Sequence, residues 1–394
     1  MHPVRRDVVI IGGGIIGLAV ADRIAHVDPG AHITVLDKED RWAAHQTGRN
    51  SGVIHSGLYY KPGSHKATMC RRGAESMIRF ARENGVAVER CGKLVVATSF
   101  DELPRLRALA ERGSQNGLEV RELGPSAARE YEPNLSCVAA LHVPETGIID
   151  YRGVCAAFVR RLTDHGADLR LNTEVTGLRG TTVETTAGSF GADAVVNCAG
   201  LQSDLVATLT GGTPSVQIIP FRGEYYELRP EKHHLVRGLI YPVPDPRYPF
   251  LGVHLTRTIE GGVHAGPNAV LALAREGYRW RDVRGKELWG TLRYGGFWRL
   301  ASHNLKTGTA EVARSLSRRR FARSLRAFIP EITADDLVRA PAGVRAQAVL
   351  RDGSLADDFL IERDRRVVNV LNAPSPAATS ALEIAAHVVG LLAD

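Results

Sequence analysis

The sequence is short of the features that build disulfide-held, metal-bound or membrane-spanning proteins. Five cysteines occur in 394 residues: Cys70, Cys91, Cys137, Cys155 and Cys198. Their number is odd, their spacing is wide and none forms a C-x-x-C pair. That pattern argues against a disulfide framework and a structural zinc site, and it suits a reducing compartment such as the cytoplasm. The histidines, including the pair at 233–234, lack ligand spacing, so no metal is expected. No apolar run approaches the 18 residues that mark a membrane span. The N-terminal stretch MHPVRRDVVIIGGG lacks the apolar core of a secretory signal. There is no G-x-S-x-G elbow, no P-loop lysine, no internal repeat and no low-complexity segment.

What is present fits a globular chain. Hydrophobic residues make up 44% and charged residues 24%, ordinary values for a packed protein. The length accommodates two domains, or one domain with an insertion. The formal net charge of +7 would attract anionic substrates, membrane headgroups or nucleic acid, and selects none of them. A helix-turn-helix, an RNA-binding aromatic motif and a zinc finger are all missing, so a basic nucleic-acid-binding protein on a nucleotide fold is the weaker reading.

Residues 7–11, DVVII, read as a buried parallel strand ended by glycines. IIGLAVADRIAHV reads as a helix, and HITVLD as a second strand ending at Asp37. Together they form a βαβ unit. Gly12, Gly14 and Gly17 make G-x-G-x-x-G at its first turn. The first glycine allows a tight turn, the second a close approach of backbone to pyrophosphate, and the third close packing of helix on strand. The helix N-terminus offers N–H groups to an anion, and Asp37 is placed to accept a ribose hydroxyl.

FAD and NAD share this fingerprint. Two later stretches favour FAD. One is the polar glycine-rich loop HQTGRNSGVIHSGLYY at 45–60, and the other is VVNCAGLQSD at 195–204, a strand entering a turn at Gly200. Thr47, Asn50, Ser51 and Gly52 would line the cofactor, since small and polar residues permit close backbone approach.

Further along, residues 66–84 predict a helix with Ala67, Cys70, Ala74, Met77 and Ala81 on one face. KLVVAT (93–98) predicts a strand, the 101–117 stretch a surface helix, and YRGVCAAFVRRLTDHG (151–166) an amphipathic helix. Strand signals fill 218–270, with a hairpin turn at EGG (260–262), and 271–330 reads as mostly helical. The expected fold is α/β (α+β). A Rossmann-like FAD-binding domain (1–88, 149–213, 339–394) is interleaved with a mixed β-sheet substrate domain (89–148, 214–338).

The stretches VIIGGGIIGL, HQTGRNSGVIHSGLYY, VPETGIIDY, NCAGLQSD, PFRGEYYEL, IYPVPDP, FLGVHLTR, GPNAVLA, PAGVRAQ and NAPSPAATS together resemble L-2-hydroxyglutarate oxidases/dehydrogenases. These belong to the D-amino-acid oxidase-like FAD group, and the resemblance runs from about residue 7 to the C-terminus. It implies oxidation of L-2-hydroxyglutarate to 2-oxoglutarate, with electrons passed to quinone or O2. An amino-acid oxidase or a glycerol-3-phosphate dehydrogenase of the same group is the alternative. The segment IHSGL resembles IHGGL of the glycerol-3-phosphate dehydrogenases.

Such a reaction takes a hydride from C2 and a proton from the hydroxyl, and a histidine suits the proton. His55 is the candidate catalytic base; its alternative role is to anchor the loop. A dicarboxylate needs cationic clamps. Arg345 is the first choice, because PAGVRAQ resembles the carboxylate-binding loop of the group's amino-acid oxidases, with Ala346 in place of its proline. His254 and Arg257 come next. They are three apart, so an ideal strand turns only one of them to the pocket. The same spacing separates Arg222 from Tyr225. Tyr59 and Tyr60 border either the substrate pocket or the sheet edge. Ser375, ahead of the last helix, would face the cofactor or a substrate carboxylate.

The run RSLSRRRFARSLR (314–326) carries six arginines and no acid. Phe321, Leu325 and Phe328 follow at helical spacing. This predicts either a basic helix lying peripherally on an anionic membrane at the inner face of the cell membrane, or a solvated face on a packed helix.

Overall fold

The computed structural model describes residues 6–245, 252–304, 308, 311, 312, 315 and 317–393. Phe250 and Leu251 of the FLGVHLTR stretch, and Arg314 and Leu316 of the basic run, lie outside the described residues.

The strand Asp7–Ile11 pairs in parallel with His32–Leu36 on one side and Ala194–Asn197 on the other. A strand flanked on both edges and covered on both faces must be apolar throughout, which is why VVII shows no alternation. Val8 and Ile10 face a core built with Leu18, Met77, Phe158 and Ile384, one from each of four helices. These helices are Ile15–Val27, His65–Glu83, Tyr151–His165 and Ala381–Ala393. Val9 and Ile11 face the opposite way, onto Leu178 and Val183 of a three-stranded antiparallel sheet. The full order of the first sheet is Leu360–Asp364, Val367–Asn372, Ala194–Asn197, Asp7–Ile11, His32–Leu36, Asp168–Arg170.

The expected helix at 66–84 forms over His65–Glu83 and buries the predicted face of Ala67, Cys70, Ala74, Met77 and Ala81. The Ser64 side chain caps its first turn by accepting from the Ala67 amide. Gly85, at φ +68°, follows its end.

A nine-stranded mixed sheet makes the second half. Its longest pairing joins Val216–Leu228 to Leu337–Leu350, antiparallel. Strands Lys93–Ala97, Ala139–Val143, Leu239–Pro242, His254–Arg257 and Val263–Gly266 extend it. The last two form the hairpin expected at 260–262.

The structure narrows three expectations. The segment from 339 is expected in the cofactor half; Leu337–Leu350 is hydrogen-bonded into the second sheet, and the chain rejoins the first sheet at Leu360. Among the described residues of 271–330, helices cover Gly285–Arg293, Gly295–His303 and Arg318–Leu325, and Gly308, Glu311, Val312 and Ser315 are helical too, so the helical reading holds apart from the stretch before Gly285. Residues 272–284 instead run as a strap, because its charged and polar groups find partners across the molecule rather than one helical turn away. Arg275 pairs with the buried Asp204, and Glu276 with Lys38. Finally, Phe321, Leu325 and Phe328 are buried against Tyr226, Leu255 and Ala265. The basic helix therefore spends its apolar face on the protein core and shows solvent its arginines.

Candidate active site

A cavity of about 1340 Å³ runs from the glycine turn of the first sheet to the second sheet. At the nucleotide end, Gly12 has φ +109°, and a Cβ there would lie 2.4 Å from the Cys198 carbonyl oxygen. No side chain fits. A Cβ on Gly17 would come within 1.9 Å of the Gly12 carbonyl oxygen, so this glycine lets the helix close on the strand. Gly17 itself does not line the cavity; Gly12 and Gly14 do.

The N-terminus of Ile15–Val27 opens on the cavity at Gly14, whose own side is bare of any capping side chain. Thr47 Oγ1 accepts from the Ile15 amide at 3.1 Å. Asp37 also lines the space, and its two carboxylate oxygens accept from the Gly13 and Glu39 amides at 2.7 and 2.9 Å. Ser51 and Gly200 complete this wall. Asn50 lines it too and organises the loop. Its amide donates to the Gln46 and Thr47 carbonyls, and its oxygen accepts from Gly52 N–H. Gly52, expected beside the cofactor, does not line the cavity. It sits behind the wall instead, at φ +67°, and its carbonyl accepts from the Ile149 amide.

The strap closes over this end, which the sequence did not signal. Tyr278 hydroxyl is 2.6 Å from His45 Nδ1, and the Arg49 guanidinium stacks 4.0 Å from the Tyr278 ring centre. Glu39, His45 and Glu276 bring three donor atoms within 4.8 Å of one another. The Lys38 ammonium pairs with both carboxylates, so the cluster already holds a cation of its own.

At the other end, two segments distant in sequence are pinned together. The His55 amide donates to Thr379 Oγ1 at 3.1 Å, and Ser375 Oγ lies 3.2 Å from His55 Nε2. Both His55 and Ser375 line the cavity, with Tyr59, Tyr60, Tyr225, Tyr241, His254 and Arg345. Arg345 comes from the long strand pair, His254 and Tyr241 from the neighbouring strands, and His55 and Tyr59 from the loop after Val53–Ile54. Period-two alternation sorts the uncertain pairs. His254 faces in, while Arg257, expected to contact substrate, pairs with Glu89 and does not line the cavity. Tyr225 faces in, while Arg222 is buried elsewhere against Glu224 and the Trp280 ring.

Burial, helped by the charges of Lys93 and His254, pushes the His55 pKa down to about 3. Burial likewise pushes His254 down to about 4. Both rings are therefore neutral at physiological pH and able to accept a proton. His254 Nδ1 donates to the Gly252 carbonyl at 2.9 Å, which leaves Nε2 as the accepting nitrogen. Burial lowers the Arg345 pKa, and the nearby Tyr225 and Glu311 act against that shift. An arginine stays charged in such a site. The Tyr59 hydroxyl is buried and has no hydrogen-bond partner among the described residues.

A helix N-terminus opening on the cavity, two glycines that exclude a Cβ and an acid at the second strand end fit a dinucleotide. Residues 7–391 match the family described as FAD dependent oxidoreductase. The chain belongs to this family. FAD is its cofactor, and the fold and resemblance read from the sequence stand. This flavoenzyme is 48% identical to L-2-hydroxyglutarate dehydrogenase of Indibacter alkaliphilus, over 96% of each chain. It is 46% identical to the enzyme of that name from Escherichia coli K12, covering 97% of this chain and 92% of the relative. The human mitochondrial L-2-hydroxyglutarate dehydrogenase is 43% identical, covering 98% and 88%. Among solved structures, L-alpha-glycerophosphate oxidase from Mycoplasma pneumoniae with FAD bound aligns with a TM-score of 0.81 at 21% identity, over 99% of this chain and 95% of that one. Glycine oxidase from Geobacillus kaustophilus aligns at 0.73 and 19%, over 99% and 95%. These two likenesses establish the fold alone.

Proposed function

We propose that this flavoenzyme oxidises L-2-hydroxyglutarate to 2-oxoglutarate. The observation that carries the reading is the far end of the cavity, where a half-buried arginine and two neutral histidines meet on one wall. That set suits an anionic hydroxy acid, and the relatives are named for this one. FAD, when bound, accepts the two electrons of the C2–H bond as a hydride. The rest is the work of the chain. Arg345 clamps one carboxylate in a bidentate pair and orients C2. His55 takes the hydroxyl proton as the carbonyl forms. Ser375, bonded to His55 Nε2, holds the imidazole ring in place. Gly12, Gly14, Asp37, Thr47, Asn50, Ser51 and Gly200 hold the cofactor, and the strap over Tyr278 shields that end. The first sheet thus serves FAD and the second serves substrate, with the final crossing placed between Leu350 and Leu360.

One observation favours His254 as the base instead: its tautomer is set by the Gly252 carbonyl. The electrons leave for quinone or O2. A membrane quinone is supported by the surface of 279–303. Trp289 and Trp298 are 60% and 57% exposed there, amid six Lys or Arg and two acids. Arg284 and Glu287 of the same stretch line the cavity.

Anaerobic titration of the yellow protein tests the reaction. The panel is L- and D-2-hydroxyglutarate, L-lactate, glycerol 3-phosphate and glycine. Bleaching by L-2-hydroxyglutarate alone is expected. Reduction by glycine or glycerol 3-phosphate in its place overturns the reading.

A further inference from the structure

Lys93 opens the strand Lys93–Ala97, and its side chain is buried, with only 3% of the residue exposed. A buried ammonium is costly unless an anion meets it. No carboxylate pairs with it among the described residues. Its Nζ lies 4.4 Å from the ring centre of Tyr59 and 5.1 Å from that of Tyr241. Ring faces of this kind hold a cation in place but return only part of its lost hydration. Both tyrosines line the cavity, and the Tyr59 hydroxyl is a buried donor that lacks a partner among the described residues. An uncompensated cation and an uncompensated hydroxyl therefore sit together at the edge of a site read as taking an acid. An apolar residue would pack this strand at lower cost.

We propose that Lys93 supplies the counter-charge for the second carboxylate of a dicarboxylate substrate, with the Tyr59 hydroxyl donating to it directly. This rests on the hydroxy-dicarboxylate reading above and adds the group that selects the second acid. Arg345 takes one carboxylate; the Tyr59 hydroxyl takes the other, with the Lys93 charge behind its ring. Lys93 acts through the tyrosines, so it is a positioning residue.

The groups facing Lys93 are Cys70 from the helix His65–Glu83, His55 and Tyr59 from the loop, Tyr241 from Leu239–Pro242, and His254 from His254–Arg257. The two histidines are neutral, and burial keeps the Cys70 thiol protonated. Burial pushes the Lys93 pKa down to about 7. The free enzyme thus carries the charge below that pH and loses it above. A dianion binds the charged form, so kcat/KM falls as pH rises through about 7, and binding above that pH takes up a proton.

The test uses FAD-loaded wild type, Lys93→Met and Lys93→Arg, assayed from about pH 5.5 to 9. The substrates are L-2-hydroxyglutarate and the monocarboxylate L-2-hydroxybutyrate. For Lys93→Met, KM for the dicarboxylate rises about 30-fold or more while kcat stays within a few-fold. KM for the monocarboxylate is unmoved, FAD is retained and the alkaline fall disappears. Lys93→Arg restores the low KM and is flat through that pH range. An equal KM rise on both substrates, or an unchanged dicarboxylate KM with an unchanged pH profile, overturns the proposal. The wild-type titration comes first. If L-2-hydroxyglutarate fails to reduce wild type, the reaction itself is wrong, and that result is distinct from a variant that keeps its affinity.

Discussion

Two histidines at one wall compete for a single proton, and their surroundings separate them. His55 is tied to the last loop through its own amide and through Ser375, whereas His254 has its Nδ1–H fixed on a carbonyl. Removing a general base costs about 10²–10⁴-fold in kcat. His55→Asn should show that loss with FAD absorbance intact, and His254→Asn a smaller one. The reverse order would move the base to His254. Both pKa values are lowered by burial, so the neutral base is already present well below pH 5 in the free enzyme, and neither histidine contributes an acid limb between about pH 5 and 8. A family resemblance names Arg345, while strand alternation, which is local, says only that one of His254 and Arg257 and one of Arg222 and Tyr225 faces the cavity. Lys93 was not legible: a lysine at the start of KLVVA reads as an exposed strand end, and its burial comes from Tyr59 and Tyr241, which lie far away in sequence.

The basic helix Arg318–Leu325 shows how an element can satisfy a pattern and serve another purpose. Its apolar stripe has the period of a membrane-lying helix, yet the same stripe packs on the second sheet. Phe321 is wholly buried, against the Tyr226 ring. Phe321→Ala should therefore lower stability by about 3–5 kcal/mol, read as a fall in the chemical-denaturation midpoint. Binding to anionic vesicles should not change at a temperature where the variant is folded. A stable variant that loses vesicle binding would return the membrane role to this helix. Sequence periodicity names the buried side of a helix but not what buries it.

Across the whole molecule, three of the four tryptophans, Trp280, Trp289 and Trp298, fall on one exposed stretch of mixed apolar and basic character. Aromatic rings at headgroup depth and cations toward anionic lipid are the arrangement of an interfacial surface. The FAD-loaded enzyme should float with phosphatidylglycerol-rich vesicles and not with neutral ones. The double change Trp289→Ser with Trp298→Ser should abolish flotation and leave reduction by substrate unchanged. Flotation that survives both changes places the contact elsewhere. That a pair of short helices beside the cavity mouth carries this surface depends on the path of the strap, whose partners Asp204, Lys38 and His45 belong to the other half of the chain.

The sequence by itself determined the cofactor half. A βαβ turn draws its glycines, helix start and acid from one short run of chain, so spacing alone specifies the geometry. It also determined that a cavity wall would carry His55 and Arg345, through stretches specific to one family of flavoenzymes. Only the tertiary structure decided which sheet owns 339–350, that Arg257 and Gly52 turn away, that Lys93 packs behind two tyrosines of the cavity wall, and that the strap closes over the nucleotide end. Those outcomes follow from pairings between segments as many as a hundred or more residues apart, and no local period encodes which distant partner a side chain will meet.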